Sequence, residues 1–213
     1  MRDIVLIDFE ASCLPQFGKS YPIEVALART DGQSRAWLIY PLPKWRNWDW
    51  SDEAEALHRI SREMLDRKGL PAELVLAEMA EFAADCDVYA DADLDAFWLE
   101  LLAHGVGRKP PFAVRYLGEW MVERGFTRPQ VVTALDAAKR REPREHFARD
   151  DARRLALVAR ILEEKRGPAQ SVTGASPMRR TAEKRPVHPP PGVIPVDCND
   201  WAQTAFSRSR SAA

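Results

Sequence analysis

The chain of 213 residues holds no apolar run long enough to cross a bilayer, which argues against a helical membrane protein. Its opening, MRDIVLIDFEAS, does not read as a secretory signal. Asp3 and Asp8 interrupt the apolar stretch after Arg2, and no small-residue cleavage site follows. Cysteine is scarce too. Cys13, Cys86 and Cys198 are an odd number without metal-ligand spacing, so they read as reduced thiols in a cytoplasmic protein. Net charge is nearly absent, with 31 Lys and Arg against 32 Asp and Glu. The chain therefore lacks the basic excess common among nucleic-acid binders. An enzyme that grips only a strand end, and offsets its own acids with metal, remains compatible with that balance. There is no internal repeat.

What is present is ordinary for a globular protein: 46% hydrophobic and 30% charged residues, in a length suited to one domain and a tail. The apolar, β-branched run from Asp3 to Phe9 predicts a buried central strand. Strands at 22–30 and 35–40 follow, joined by the turn signal Asp31-Gly32. Helical spacing of Leu74, Met79, Phe82 and Ala83 predicts a helix over 71–85. Next come a strand at 87–90, a helix carrying Leu94, Trp98, Leu101 and Leu102, and a strand at 112–116. Helices at 118–124, 130–141 and 149–166 complete the pattern, the last stopped by Gly167-Pro168. The order implies an α/β fold whose mixed sheet begins antiparallel and continues through helical crossovers.

From Gly167 the composition turns to Ser, Thr, Pro, Arg and Ala, with Pro189 to Pro191 and a terminal Ser-Arg run. Such a segment buries too little apolar surface to offset its ordering entropy. The expectation is a domain at 1–166 and a mostly disordered tail at 167–213. Within the tail, Val193 to Phe206 has the apolar residues to dock on a protein partner.

Three acidic sites stand out. Asp8 and Glu10 lie at i and i+2 and share one strand face. Two carboxylates near a core repel and lose hydration, penalties that a hard divalent cation removes. The competing account ends the strand at Ile7 and leaves both in a solvated loop. The second site is Asp91, Asp93 and Asp95, where a strand passes into a helix. N-capping accounts for one or two of them, but Asp95 shares the apolar face of Trp98 and Leu102. At the third, Asp151 falls on the stripe of Leu155, Val158 and Leu162, while Asp150 is expected to pair with Arg154 in solvent. His146 sits just before that helix. Asp8, Glu10, Asp95 and Asp151 would together hold two divalent ions for phosphoryl transfer. His146 would deprotonate the attacking water.

These residues resemble the DEDDh family of 3′–5′ exonucleases, whose fold is ribonuclease H-like. The family's first motif looks like Asp8-Phe-Glu-Ala-Ser-Cys-Leu14, its second like Asp91 to Asp95, and its third like His146 and Asp151. Leu57-His-Arg-Ile-Ser61 resembles a His-Gly-Ile-Thr segment, with Arg59 where glycine is usual. The resemblance covers the chain up to Arg166. It implies Asp8, Glu10, Asp95 and Asp151 as ligands of Mg²⁺ or Mn²⁺, His146 as general base, and single-stranded nucleic acid bound by its 3′ end. Ser12, Leu14, Phe17 and Asp91 would meet the substrate, with Leu14 wedging against the terminal base. Cys13 and Asp91 depart from the family's usual Gly and Asn. RNA is favoured over DNA by analogy with small stand-alone members. Homodimers occur among such relatives, without an interface signal here.

Trp45, Trp48 and Trp50, with Lys44 and Arg46, suggest either a base-stacking platform or a loop packed on the domain. Arg140, Arg141 and Arg144 suit either phosphate contacts or a solvated helix face. Two rival functions fit the same residues. One is a non-catalytic binding or regulatory module on the same fold, and the other a proofreading exonuclease bound to a polymerase through the tail.

Overall fold

A computed structural model describes residues 3–166. The expected tail, with the Val193 to Phe206 segment, lies outside the described residues. Five strands form one mixed sheet: β1 (Asp3–Ala11), β2 (Pro22–Arg29), β3 (Ser34–Leu38), β4 (Cys86–Ala90) and β5 (Val114–Tyr116). Their spatial order is β3-β2-β1-β4-β5. The hairpin partners β1, β2 and β3 pair antiparallel, and β4 and β5 run parallel to β1. Helices flank the sheet: α1 (Asp52–His58), α2 (Arg62–Lys68), α3 (Ala72–Phe82), α4 (Asp93–Gly105), α5 (Leu117–Glu123), α6 (Arg128–Arg141) and α7 (Ala148–Arg166). The α/β class and the antiparallel start are as the sequence implied.

β1 is the middle strand and is buried on both faces, which is why it reads as a continuous apolar run. Val5, Ile7 and Phe9 enter one core with Val75, Leu76 and Met79 of α3 and Trp98, Leu99 and Leu102 of α4. Ile4 and Leu6 point to the opposite face, buried outside that core. The Tyr89–Trp120 ring contact, centroids 6.4 Å apart, brings α5 to this second face. Val158 and Leu162 of α7 are fully buried. Each such side chain contributes roughly 1.5–3 kcal/mol relative to exposure.

Several expectations change. Helices α1 and α2 were not anticipated, because seven residues are too few to display a helical period. Their caps are nonetheless in the sequence: Ser51 accepts from the Ala54 amide and Ser61 from that of Met64. α3 ends at Phe82 and β3 at Leu38. Leu74, one of the apolar residues at helical spacing, is 43% exposed. The tryptophan loop packs inward. Trp45 is fully buried and stacked on Tyr21, with Trp48 tilted against it, so the domain uses these rings as core. Arg62 lies over Trp50 and hydrogen-bonds the carbonyls of Arg46 and Trp48, closing the loop. Among the described residues, no helix is long and apolar enough to cross a membrane.

Candidate active site

β1 does not stop at Ile7. It continues through Asp8 and Glu10, which pair in register with Ala26 and Glu24 of β2. Both carboxylates are thus fixed by a sheet ladder on the face of Ile4 and Leu6. The parallel ladder to β4 ends at Leu6 and Tyr89, which frees the next amides on that side of β1. The Phe9 amide finds its acceptor in a helix instead, donating to Asp95 Oδ1 at 3.0 Å. That bond explains a buried aspartate on an apolar helix face: it takes up an amide left beyond the end of the β4 ladder and sets the α4 start against β1. Capping does not account for it. The N-cap of α4 is Ala92, and no side chain caps that end.

Asp151 lies in the first turn of α7 and reaches back over the preceding turn. Its Oδ2 accepts from the amides of His146, at 2.8 Å, and Phe147, at 3.2 Å. Its Oδ1 pairs with Arg154. The expected solvent pair of Asp150 with Arg154 is not formed. Arg154 is 4% exposed and turned into the site, while Asp150 faces Arg144 at 3.9 Å. His146 is exposed and has φ of 63°, a left-handed conformation sparsely populated by non-glycine residues.

The carboxylates converge. Oxygens of Asp8, Asp91 and Asp95 lie within 4.8 Å of one another, and so do those of Asp8, Glu10 and Asp151. Asp8 belongs to both groups, so five carboxylates form two adjoining oxygen clusters that share one member. Burial drives their carboxyl groups up. Asp8 is raised well above the usual range by desolvation, and then by Asp95, Glu10, Asp91 and Glu24. Asp95 is raised likewise by burial and by Asp91, partly relieved by the Phe9 amide. Glu10 is pushed up to about 8 by burial and by Glu24. Asp91 is raised by burial and partly relieved by its own amide and by Arg154. A hard divalent cation would remove these penalties, and an all-oxygen donor set suits Mg²⁺ or Mn²⁺.

The expected substrate residues fall into different places. Leu14 and Phe17, in the turn after β1, are apolar side chains left 44% and 76% exposed. Ser12 is fully buried. Its hydroxyl accepts from the Tyr21 amide at 3.2 Å and faces Ser20, so that side chain frames the loop. Asp91 sits inside the carboxylate cluster. Arg140, Arg141 and Arg144 are exposed.

Three residues near the site were not among the expected site residues. Glu24 lies opposite Glu10 on β2 and accepts from the Ala148 amide at the start of α7. An isolated acid in the apolar run Pro22-Ile-Glu-Val-Ala26 was the available signal. Arg154 was misplaced by the assumption that charged neighbours on a helix meet in solvent. His58 is buried, accepts from the Ile60 amide at Nδ1, and is pushed down to about 4 by burial and by His146. Arg59, beside it, has φ of 60° and lays its guanidinium over the Phe147 ring, joining this turn to the His146 segment.

Neither a family model nor a curated protein sequence matches the chain. Solved structures do. A 3′-exonuclease described in recognition of the histone mRNA stem-loop superposes with a TM-score of 0.56 at 20% identity, over 76% of this chain and 64% of its own. Exonuclease I from E. coli, in complex with a dA16 oligonucleotide, gives 0.59 at 13% identity over 77% and 41%. A moderately thermophilic Exonuclease I from Methylocaldum szegediense gives 0.54 at 16% over 78% and 41%. This chain spans less than two thirds of those proteins. At such identities the likeness establishes a shared fold.

Proposed function

We propose that the chain is a metal-dependent 3′–5′ exonuclease of the DEDDh type, with its catalytic domain at 1–166 and single-stranded nucleic acid, RNA before DNA, as substrate. The observation that carries this reading is the pair of oxygen clusters sharing Asp8. Two adjacent cation sites bridged by one carboxylate are what in-line phosphoryl transfer uses. The fold, shared with proteins described as exonucleases, agrees with it.

In this reading Asp8, Glu10, Asp95 and Asp151 hold the ions, with Asp91 as an additional carboxylate at the Asp95 end. Bound there, the ions would stabilise the charge that develops on the reacting phosphate. His146 is the general base. Exposed at the mouth of the cluster, it takes the proton of the attacking water, and its backbone is held by Asp151 Oδ2. Leu14 and Phe17 offer apolar surface to the terminal base.

The test is degradation of 5′-labelled single-stranded RNA and DNA oligonucleotides with Mg²⁺, with Mn²⁺ and with chelator. A metal-dependent ladder shortening from the 3′ end, lost in Asp8→Ala and Asp151→Ala variants that still fold, is expected. Retained cleavage in those variants would remove the assignment. Metal-independent binding without turnover would replace it with the binding-module reading.

A further inference from the structure

The mechanism above leaves one buried charge unused. Arg154 is 4% exposed, and its guanidinium spans the segment that carries His146. Nη2 pairs with Asp151 Oδ1 and donates to the Arg144 carbonyl at 2.7 Å. Nη1 faces Glu145 Oε1 at 3.5 Å and has no hydrogen-bond partner among the described residues. One side chain therefore touches residues 144, 145 and 151, on both sides of the left-handed His146. A guanidinium is suited to this, because its planar fork presents donors in fixed directions to several oxygens at once. A buried cation with an unsatisfied donor is costly for stability alone, and here it stands against a carboxylate that the proposed function needs for metal.

We infer that Arg154 is a resident cation of the acidic centre, which competes with the incoming ion for Asp151 Oδ1 and so sets how tightly the centre holds metal. This rests on the reading of Asp151 as a ligand. Before metal arrives, Arg154 offsets the repulsion among the carboxylates and keeps Asp151 turned toward the His146 amide. When an ion takes Asp151, the guanidinium keeps the Arg144 carbonyl and Glu145, so the His146 segment stays anchored. Arg154 is thus a positioning residue, acting through Asp151 and the 144–147 turn. It also supplies countercharge to Asp91, the extra acid of this centre.

The consequence runs opposite to that of a merely structural residue. Neutralising Arg154 should tighten metal binding while slowing turnover, because a competitor is lost together with an anchor. The experiment is direct Mn²⁺ binding to the full chain, followed by the free-ion electron paramagnetic resonance signal, for wild type, Arg154→Met, Arg154→Gln and Arg154→Lys. The Met and Gln variants should bind Mn²⁺ about tenfold more tightly, as expected for removing a like charge within a few Å. The Lys variant, which keeps the charge but not the fork, should stay within about twofold of wild type in Mn²⁺ affinity. Gln retains hydrogen bonding and serves where Met fails to fold, as judged by circular dichroism. Unchanged or weaker binding in the neutral variants, with wild type binding normally, overturns the role of Arg154 alone. Failure of the wild type to bind Mn²⁺ at millimolar concentration overturns both this inference and the metal-dependent reading beneath it.

Discussion

Glu10→Gln in metal-free protein is the sharpest test of the carboxylate cluster. Glu10 is partly buried, faces Glu24 across the β1–β2 ladder, and is pushed from an ordinary 4.5 up to about 8. The folded state therefore binds the proton more tightly than the unfolded state, so stability falls as pH rises from 4.5 through 8. At 1.36 kcal/mol per pK unit, full ionisation costs at most about 5 kcal/mol, of which roughly 3.5 develops between about pH 5 and pH 8. Glu10 is only partly buried and Glu24 beside it is raised as well, which brings the expected effect to about 1–2 kcal/mol. Glutamine keeps the shape without the charge. The variant should match wild type near about pH 5 and exceed it near about pH 8 by roughly 2–8 °C in Tm, given 2–4 °C per kcal/mol for a domain of this size. His58 works in the other direction: held near 4, it loses stability as pH falls from 6.5. It acts equally in both proteins and cancels in the difference. The assay is thermal unfolding in chelator at both pH values, repeated with Mn²⁺, which should raise wild type more than the variant. A variant less stable than wild type near pH 8, or a difference independent of pH, would refute the reasoning.

Three other outcomes follow from the geometry. Arg59 occupies a left-handed position, so Arg59→Gly should be more stable than Arg59→Ala by about 1 kcal/mol, read from urea midpoints. Both variants lose the contact over Phe147, so the difference reports the backbone alone. Phe17→Ala, at a site 76% exposed, should leave stability within about 0.5 kcal/mol of wild type. It should raise KM for a single-stranded oligonucleotide about threefold or more if the ring stacks on a base; an unchanged KM removes Phe17 from the substrate path. Trp45→Ala should cost about 3–5 kcal/mol, because the ring is fully buried on Tyr21. A well-folded variant impaired only in binding would restore the stacking-platform account.

Much of this was legible along the chain, for reasons that differ by residue. β1 was readable because a central strand is apolar on both faces, and Asp8 and Glu10 were conspicuous by interrupting that pattern. Asp95 and Asp151 were found by asking which helical face each shares. The same question failed for Arg154, since spacing along a helix tells which residues are neighbours but not which oxygen a long side chain reaches. Glu24 stayed hidden because its meaning depends on register, a property of the hairpin rather than of either strand. α1 and α2 needed their caps read without the support of a period. Ser12 was singled out by its motif position, and a sequence pattern does not say whether a hydroxyl faces in or out; here it faces in, against Ser20 and the Tyr21 amide.

The site also joins the two ends of the described domain. Asp8 lies on the first strand and Asp151 on the last helix, 143 positions later (151 − 8), yet their oxygens are within 4.8 Å. No contiguous fragment short of nearly the whole domain contains the cluster. Closing so long a loop is slow relative to local helix and hairpin formation. During synthesis the sheet and α4 can therefore assemble, with the repulsion among Asp8, Glu10, Asp91 and Asp95 already in place, before α7 docks and Asp151 completes the second oxygen cluster. Docking of α7 should thus be the step most sensitive to divalent ions, visible as slower hydrogen exchange in Ala148–Arg166 when metal is supplied.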